Sequence, residues 1–269
     1  MSLTLSLRAM LDVPLETECI GADRLTGLTA GDVAVLPVLS GNQKACIGDF
    51  FQVSGENDGD IRVDGDLRRV KMIGAGMTGG RIVVDGSVGQ HLGMGMTGGE
   101  IEVSGDAGDW VGAEMSGGRI VVRGTAGHMV GSAYRGSRIG MRGGEIVILG
   151  NAGNEIGNAM RNGLIAVGGN AGDFAGVNML AGTIVIFGRS GGRPGAGMKR
   201  GSIVIMEESP VLPTFTLSCA YRPAYLRLYL LYLRRLGLAV SDAQIAGRYR
   251  RWCGDSVFLN RGEVLLLDR

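Results

Sequence analysis

At 269 residues with 45% apolar composition, the chain can bury a sizeable core in one or two domains, which excludes a disordered linker. Glycine is abundant, at 49 residues against six prolines, but it does not fall at every third position; a collagen rod is excluded and many tight turns with positive φ are implied. The net charge of +1 excludes the strongly basic balance of a nucleic-acid binder or of a partner for anionic membranes.

The first stretch, "MSLTLSLRAMLDVPLE", alternates apolar residues and carries early acids, unlike a signal peptide. Residues 1–55 read as short strands with turns that cap whatever follows. The four cysteines, Cys19, Cys46, Cys219 and Cys253, form no C-x-x-C pair, which predicts reduced thiols, a cytoplasmic location and no metal knuckle. With no run of 18 apolar residues, no membrane span is predicted.

From residue 56 to 207 the sequence keeps a ruler. Met77, Met96 and Met115 are 19 apart, Met141 follows after 26, and Met160, Met179 and Met198 return to 19. Each lies in the frame G-x-x-G-x-x-x-G-x-x-M-x-G-G-x-I-x-V-x-G, with substitutions. A short fixed period signals a solenoid. Helical repeats do not tolerate this much glycine, and the leucine-rich pattern is absent. Each unit offers one strand: Ile61–Val63, Ile82–Val84, Ile101–Val103, Ile120–Val122, Ile146–Ile148, Ile165–Val167, Ile184–Ile186 and Ile203–Ile205. In-register stacking of these strands predicts a right-handed parallel β-helix of about eight coils, with Ile, Val and Met as internal ladders.

Two matches to G-x-G-x-x-G fall inside the ruler, at Gly74, Gly76, Gly79 and at Gly93, Gly95, Gly98. The dinucleotide fingerprint needs a helix after the loop, and here a strand follows. The glycines therefore read as corners. His91 and His128 lie in different columns, so no two-histidine metal site is predicted. Asp109, Glu155 and Asp173 fall on turns and read as solvated or capping residues. No nucleophile elbow, H-E-x-x-H or Walker loop occurs, so no catalytic, cofactor-binding or metal-ligating residue is assigned.

The 26-residue interval exceeds the period by seven residues, within "GSAYRGSRIGMRGG" (131–144). Extra residues must leave the stack as a loop, and loops on solenoids often bind. Tyr134, Arg135, Arg138 and Arg142 make this loop the candidate interface. A second irregularity is the middle position of each triplet: Arg62, Val83, Glu102, Val121, Val147, Ala166, Val185 and Val204. From Val121 onward this outward row is apolar, so something covers it.

The tail, 208–269, reads as a small helical extension. Pro223 suits a first helical turn and Gly237 a stop, predicting a helix over 223–236 that lies along the apolar row. Arg227, Arg234 and Arg235 share its polar side. A second helix is predicted from Ser241, with Gln244 closing a capping box, and "EVLLL" (263–267) as a last strand.

The segment "LPVLSGNQKACIGDFFQVSG" before the coils, the repeat frame, "RGSRIGMRGG" in the inserted loop and "AGTIVIFG" near the end resemble the C-type subunit of formylmethanofuran dehydrogenase and of its bacterial relative, the formyltransferase/hydrolase complex. The resemblance covers about residues 20–205. It implies a non-catalytic scaffold subunit with no cofactor of its own. The amidohydrolase-like subunit, with metals, and the formyltransferase subunit would carry the chemistry, using a methanofuran-type carrier and tetrahydromethanopterin to interconvert formyl-tetrahydromethanopterin and formate. In the archaeal version a molybdenum or tungsten chain takes part. Only Lys44, Lys71 and Lys199 of the 27 basic residues are lysine, a compositional bias that favours the bacterial version. The coils alone also resemble the C-terminal domain of the glutamate synthase large subunit, which keeps a structural role beside glutamate synthase chains as an alternative. A free-standing β-helix enzyme would place Asp, Lys or Arg on the row that here is valine.

Overall fold

The computed structural model describes residues 2–56 and 58–268. Before the repeats come β1 (Leu3–Leu7), β2 (Leu15–Glu16), α1 (Ala30–Ala34), β3 (Pro37–Ser40), β4 (Gln43–Cys46), α2 (Ile47–Phe50) and β5 (Phe51–Ser54). The repeats give β6 (Asp60–Asp64), β8 (Arg81–Asp85), β9 (Glu100–Val103), β10 (Arg119–Val122), β11 (Glu145–Ile148), β12 (Leu164–Val167), β13 (Thr183–Ile186) and β14 (Arg200–Ile205), with the short β7 (Val70–Lys71) after β6. The tail holds β15 (Thr216–Tyr221), α3 (Ala224–Arg235), α4 (Asp242–Ala246), β16 (Arg248–Gly254) and β17 (Arg261–Asp268).

The result is a mixed, largely parallel sheet with a small C-terminal helical region. Its 13 strands run β15-β16-β17-β14-β13-β12-β11-β10-β9-β8-β6-β1-β5, and every neighbouring pair between β1 and β17 in that order is parallel. Antiparallel β5 closes one end and the β16–β15 pair the other. Register follows the ruler. Ile61, Ile82, Ile101, Ile120, Ile146, Ile165, Ile184 and Ile203 stand side by side, and Val264 of β17 extends the row. A second row of parallel bridges links Leu67, Val88, Ala107, Ala126, Ala152, Ala171 and Ser190. Each repeat is thus bonded to its neighbours on two walls, and the isoleucines and all seven ruler methionines between them are buried.

Two glycines of the nucleotide-like motif, Gly74 and Gly93, are fixed by space as well as by angle. Gly74 has φ +70, and a Cβ there would stand 2.4 Å from Ile101 Cδ1; at Gly93, with φ +61, it would stand 2.5 Å from Ile120 Cδ1. A side chain at either position would drive into the isoleucine row of the next repeat. No helix follows: Gly79 leads into β8.

α3 covers the outward row. Leu226, Leu230 and Leu233 pack with Val121, Val147, Ala166, Val185, Val204 and Leu265 in one buried cluster. Tyr225 Oη, near the start of the helix, donates to Glu263 Oε1 at 3.0 Å, and Tyr232 Oη, near its end, donates to Glu145. The helix therefore runs along the stacking direction, from the β14–β17 end back towards β11. Where the helix does not reach, the row is mixed: Val83 is half-buried between Arg62, which pairs with Asp85, and Glu102, which is shared by Arg81 and Arg123.

The structure adds elements that the sequence pattern hid. The N-terminal cap contains two short helices. α1 opens on a Thr29–Asp32 capping box. The tail is not only helical, since β16 pairs with β17 and β15 with β16. These strands lack clean alternation because β15 is a solvent-facing edge and β16 carries arginines on its open side. Ser241 and Gln244 do form the expected capping box of α4. Among the described residues no helix is long and apolar enough to cross a membrane.

Candidate functional site

The seven extra residues leave the stack without disturbing its register. Arg119 still pairs with Glu145, and Ala126 with Ala152. The neck is closed by Met141 N donating to Gly131 O at 2.9 Å. Both feet bond to the following repeat, Ala133 N to Asn158 O and Gly140 N to Ala159 O. The tip turns where Ser137 N donates to Tyr134 O, with Gly136 at φ +91.

Tyr134 does not point away from the protein. Its ring stacks on Trp110 with centroids 4.7 Å apart and leans on His91 at 5.6 Å. Its Oη lies 2.7 Å from His91 Nδ1 and 3.6 Å from Met94 Sδ, and its backbone N–H donates to Glu114 Oε1 at 3.0 Å. Burial, reinforced by Glu114, pushes the Tyr134 phenol up to about 12. Burial, reinforced by nearby Lys71, holds the His91 imidazole below its ordinary value, outweighing Asp109 and Glu16. His91 Nδ1 and the Tyr134 hydroxyl thus share one hydrogen bond in a partly buried setting. Tyr134 is the clasp that fixes the loop.

Arg135, Arg138 and Arg142 remain exposed and have no ion pair among the described residues. Arg142 stands in a row with Arg161, Leu180 and Lys199, because each donates its N–H to the ruler methionine of the preceding repeat. The candidate residues therefore divide. One tyrosine anchors the loop and three arginines face solvent.

Two of the turn acids, Asp109 and Asp173, prove to be caps. Asp109 Oδ1 accepts from His128 N at 2.7 Å, His128 Nδ1 from Asn154 N at 2.9 Å, Asn154 Oδ1 from Asp173 N at 3.0 Å and Asp173 Oδ1 from Gly192 N at 2.7 Å. His128 belongs to this polar ladder, apart from His91. Glu155 accepts from Asn158 Nδ2 within its own turn. Among the described residues no group of three or more His, Cys, Asp or Glu is placed to hold a metal ion, and the four cysteines are free.

Two surface features went unnoticed in the sequence. Met72, His91, Trp110, Met129, Glu155, Phe174 and Arg193 form one column with positive φ at non-glycine residues, which turns large side chains outward. Arg193 lies over the Phe174 ring at 5.3 Å. Recurrence of bulky residues at one step of the ruler was the available signal. The other feature is an exposed apolar tip, Val257, Phe258 and Leu259, between β16 and β17.

A family model described as the GXGXG motif matches residues 100–216. The C-type subunit of the molybdenum-containing formylmethanofuran dehydrogenase 1 of Methanothermobacter marburgensis is 45% identical over 94 residues, 34% of this chain and 24% of its own length. Its counterpart in the tungsten-containing formylmethanofuran dehydrogenase 2 of Methanothermobacter wolfeii is 41% identical over 86 residues, 30% of this chain and 32% of its own length. The chain thus aligns with about a third or less of these curated relatives. A solved chain of the formyltransferase/hydrolase complex (FhcABCD) from Methylorubrum extorquens, in complex with methylofuran, is similar throughout. Its TM-score is 0.92 at 34% identity, covering 99% of this chain and 100% of that one.

Proposed function

Because the chain belongs to the family of C-type subunits of formylmethanofuran dehydrogenases and formyltransferase/hydrolase complexes, we propose that it is a non-catalytic scaffold subunit of a cytoplasmic formyltransferase/hydrolase complex. That assembly interconverts formyl-tetrahydromethanopterin and formate through a methanofuran-type carrier, and its amidohydrolase-like and formyltransferase subunits hold the cofactors and metals. The full-length likeness to a chain of the Methylorubrum extorquens complex carries this reading. The archaeal molybdenum or tungsten enzyme is the second reading, supported by the higher but local identity of 45% over 94 residues.

In this reading the stack is a right-handed parallel β-helix (56–207) between an N-terminal cap (1–55) and a C-terminal extension (208–269). Its support is the two-walled register and the right-handed preference of parallel crossovers. The inserted loop is a docking element, with Tyr134 holding its shape and Arg135, Arg138 and Arg142 offered to carboxylates of a partner chain. Purification of the tagged chain from its own host tests the function. Recovery with amidohydrolase-like and formyltransferase chains is expected. Recovery with glutamate synthase chains, or alone, refutes it.

A further inference from the structure

The connection from β16 to β17 exposes three apolar side chains in succession: Val257 at 69%, Phe258 at 49% and Leu259 at 52%. Such a run on a loose loop would be unremarkable, but this one is pinned. Asp255, 5% exposed, accepts from Gly197 N and Val257 N, each at 3.1 Å. Its carbonyl accepts from Phe258 N at 3.0 Å and Asn260 N at 3.2 Å, and Ser256 N donates to Thr214 O. Phe258 rests over Gly197, where an added Cβ would stand 3.5 Å from its Cε2. A fixed apolar tip loses little ordering entropy on binding, which suits an anchor residue.

Its charged surroundings point to what it binds. Arg261 lies two residues after Leu259 and pairs across the strands with Arg200, beside Lys199. All three are exposed and without an ion pair among the described residues. Like charges facing each other across a ladder are destabilising. Carboxylates from outside the chain would relieve that repulsion. A second copy on a two-fold axis would instead set these cations against themselves.

We propose that Val257, Phe258 and Leu259, framed by Lys199, Arg200 and Arg261, are a docking surface for a partner chain that offers an apolar pocket rimmed by carboxylates. The surface lies three repeats beyond Arg142 in the row that ends at Lys199, roughly 14 Å along the stack at ~4.8 Å per strand, so it is distinct from the inserted loop. The inference goes beyond the scaffold reading and rests on it only in requiring an assembly.

The test uses the complex purified from the native host through a tag on this chain, with a photo-crosslinking amino acid in place of Phe258. Cross-links to an acidic peptide of another chain in the complex are expected. Lys199→Glu, Arg200→Glu and Arg261→Glu together should lower recovery of that chain about tenfold or more. Val257→Ser with Leu259→Ser should do the same, while both variants keep the wild-type melting temperature within a few degrees because the changed side chains are exposed. Cross-links to a second copy, wild-type recovery by both variants, or sedimentation of the isolated chain with vesicles of phosphatidylcholine and phosphatidylglycerol in equal parts would overturn the proposal. Partners other than formyl-transfer chains, cross-linked at this position, would support the surface and overturn the function. A wild-type chain recovered alone would overturn both.

Discussion

Leu228 and Leu230 lie two residues apart on α3, and truncating each to alanine separates packing from helix propensity. Leu230 is fully buried in the cluster that holds Val147, Ala166 and Val185, whereas Leu228 is 71% exposed. Both substitutions gain the same small helix preference. Leu230→Ala removes three buried carbons, about 2.4 kcal/mol at ~0.8 kcal/mol each. The cavity adds to this, because the stacked strands beneath cannot collapse into it, giving about 3–4 kcal/mol in all. Leu228→Ala should stay within about 0.5 kcal/mol of wild type. Urea unfolding followed by circular dichroism reads the difference, with hydrogen exchange along 145–148, 164–167 and 183–186 showing whether the strands lose protection with the helix. If Leu230→Ala costs no more than Leu228→Ala, the helix does not share a core with the sheet, and the explanation of the valine row fails.

The corner glycines should separate in the same way. Gly93→Ala meets both a positive φ and Ile120 and should cost more than about 2 kcal/mol in urea, while Gly79→Ala, with open space around it, should cost under about 1. Asp109→Ala removes the acceptor for His128 N and should cost about 1 kcal/mol by thermal melting; an unchanged melt would show that solvent replaces the cap. Because the His91 imidazole is held below its unfolded value of 6.5, the unfolded chain takes up the proton first, so stability is full above that value and drains as pH falls below it. Melting temperatures across this range should fall less steeply for His91→Phe, and equal slopes would remove His91 from the account. Arg135→Ala, Arg138→Ala and Arg142→Ala combined should leave the melt unchanged and weaken recovery of partner chains. Tyr134→Ala should instead lower the melt, since it breaks the stack on Trp110.

Much of the fold was legible because stacking forces identical environments on residues 19 apart. Each triplet, each ruler methionine and the place of the insertion followed from spacing, and the helix over the valine row followed from a covered apolar face needing a cover. The loop's path did not follow. Tyr134 meets Trp110 and His91 through an excursion whose direction no period encodes. The predicted strand at 263–267 is β17, but β15 and β16 were missed because they borrow their order from it and not from an apolar pattern of their own. The apolar tip at 257–259 sat in a stretch without repeats, where an exposed leucine and a core leucine look alike.

α3 also acts as a gauge of copy number. Tyr225 is tied to Glu263 and Ser202 at one end, and Tyr232 to Glu145 at the other, so the helix bridges the three strand intervals from β11 to β14. Those intervals measure roughly 14 Å, and seven helical residues rise about 10.5 Å, a shortfall the tyrosine side chains make up. One more 19-residue unit between the anchors would lengthen the span to roughly 19 Å, and one fewer would shorten it to roughly 10 Å. Stacked repeats otherwise grow or shrink by duplication and deletion with little penalty at each junction. In this chain such a change between β11 and β14 detaches a tyrosine or buckles the helix, so lineages that gain or lose a unit there would have to remake α3 in the same step.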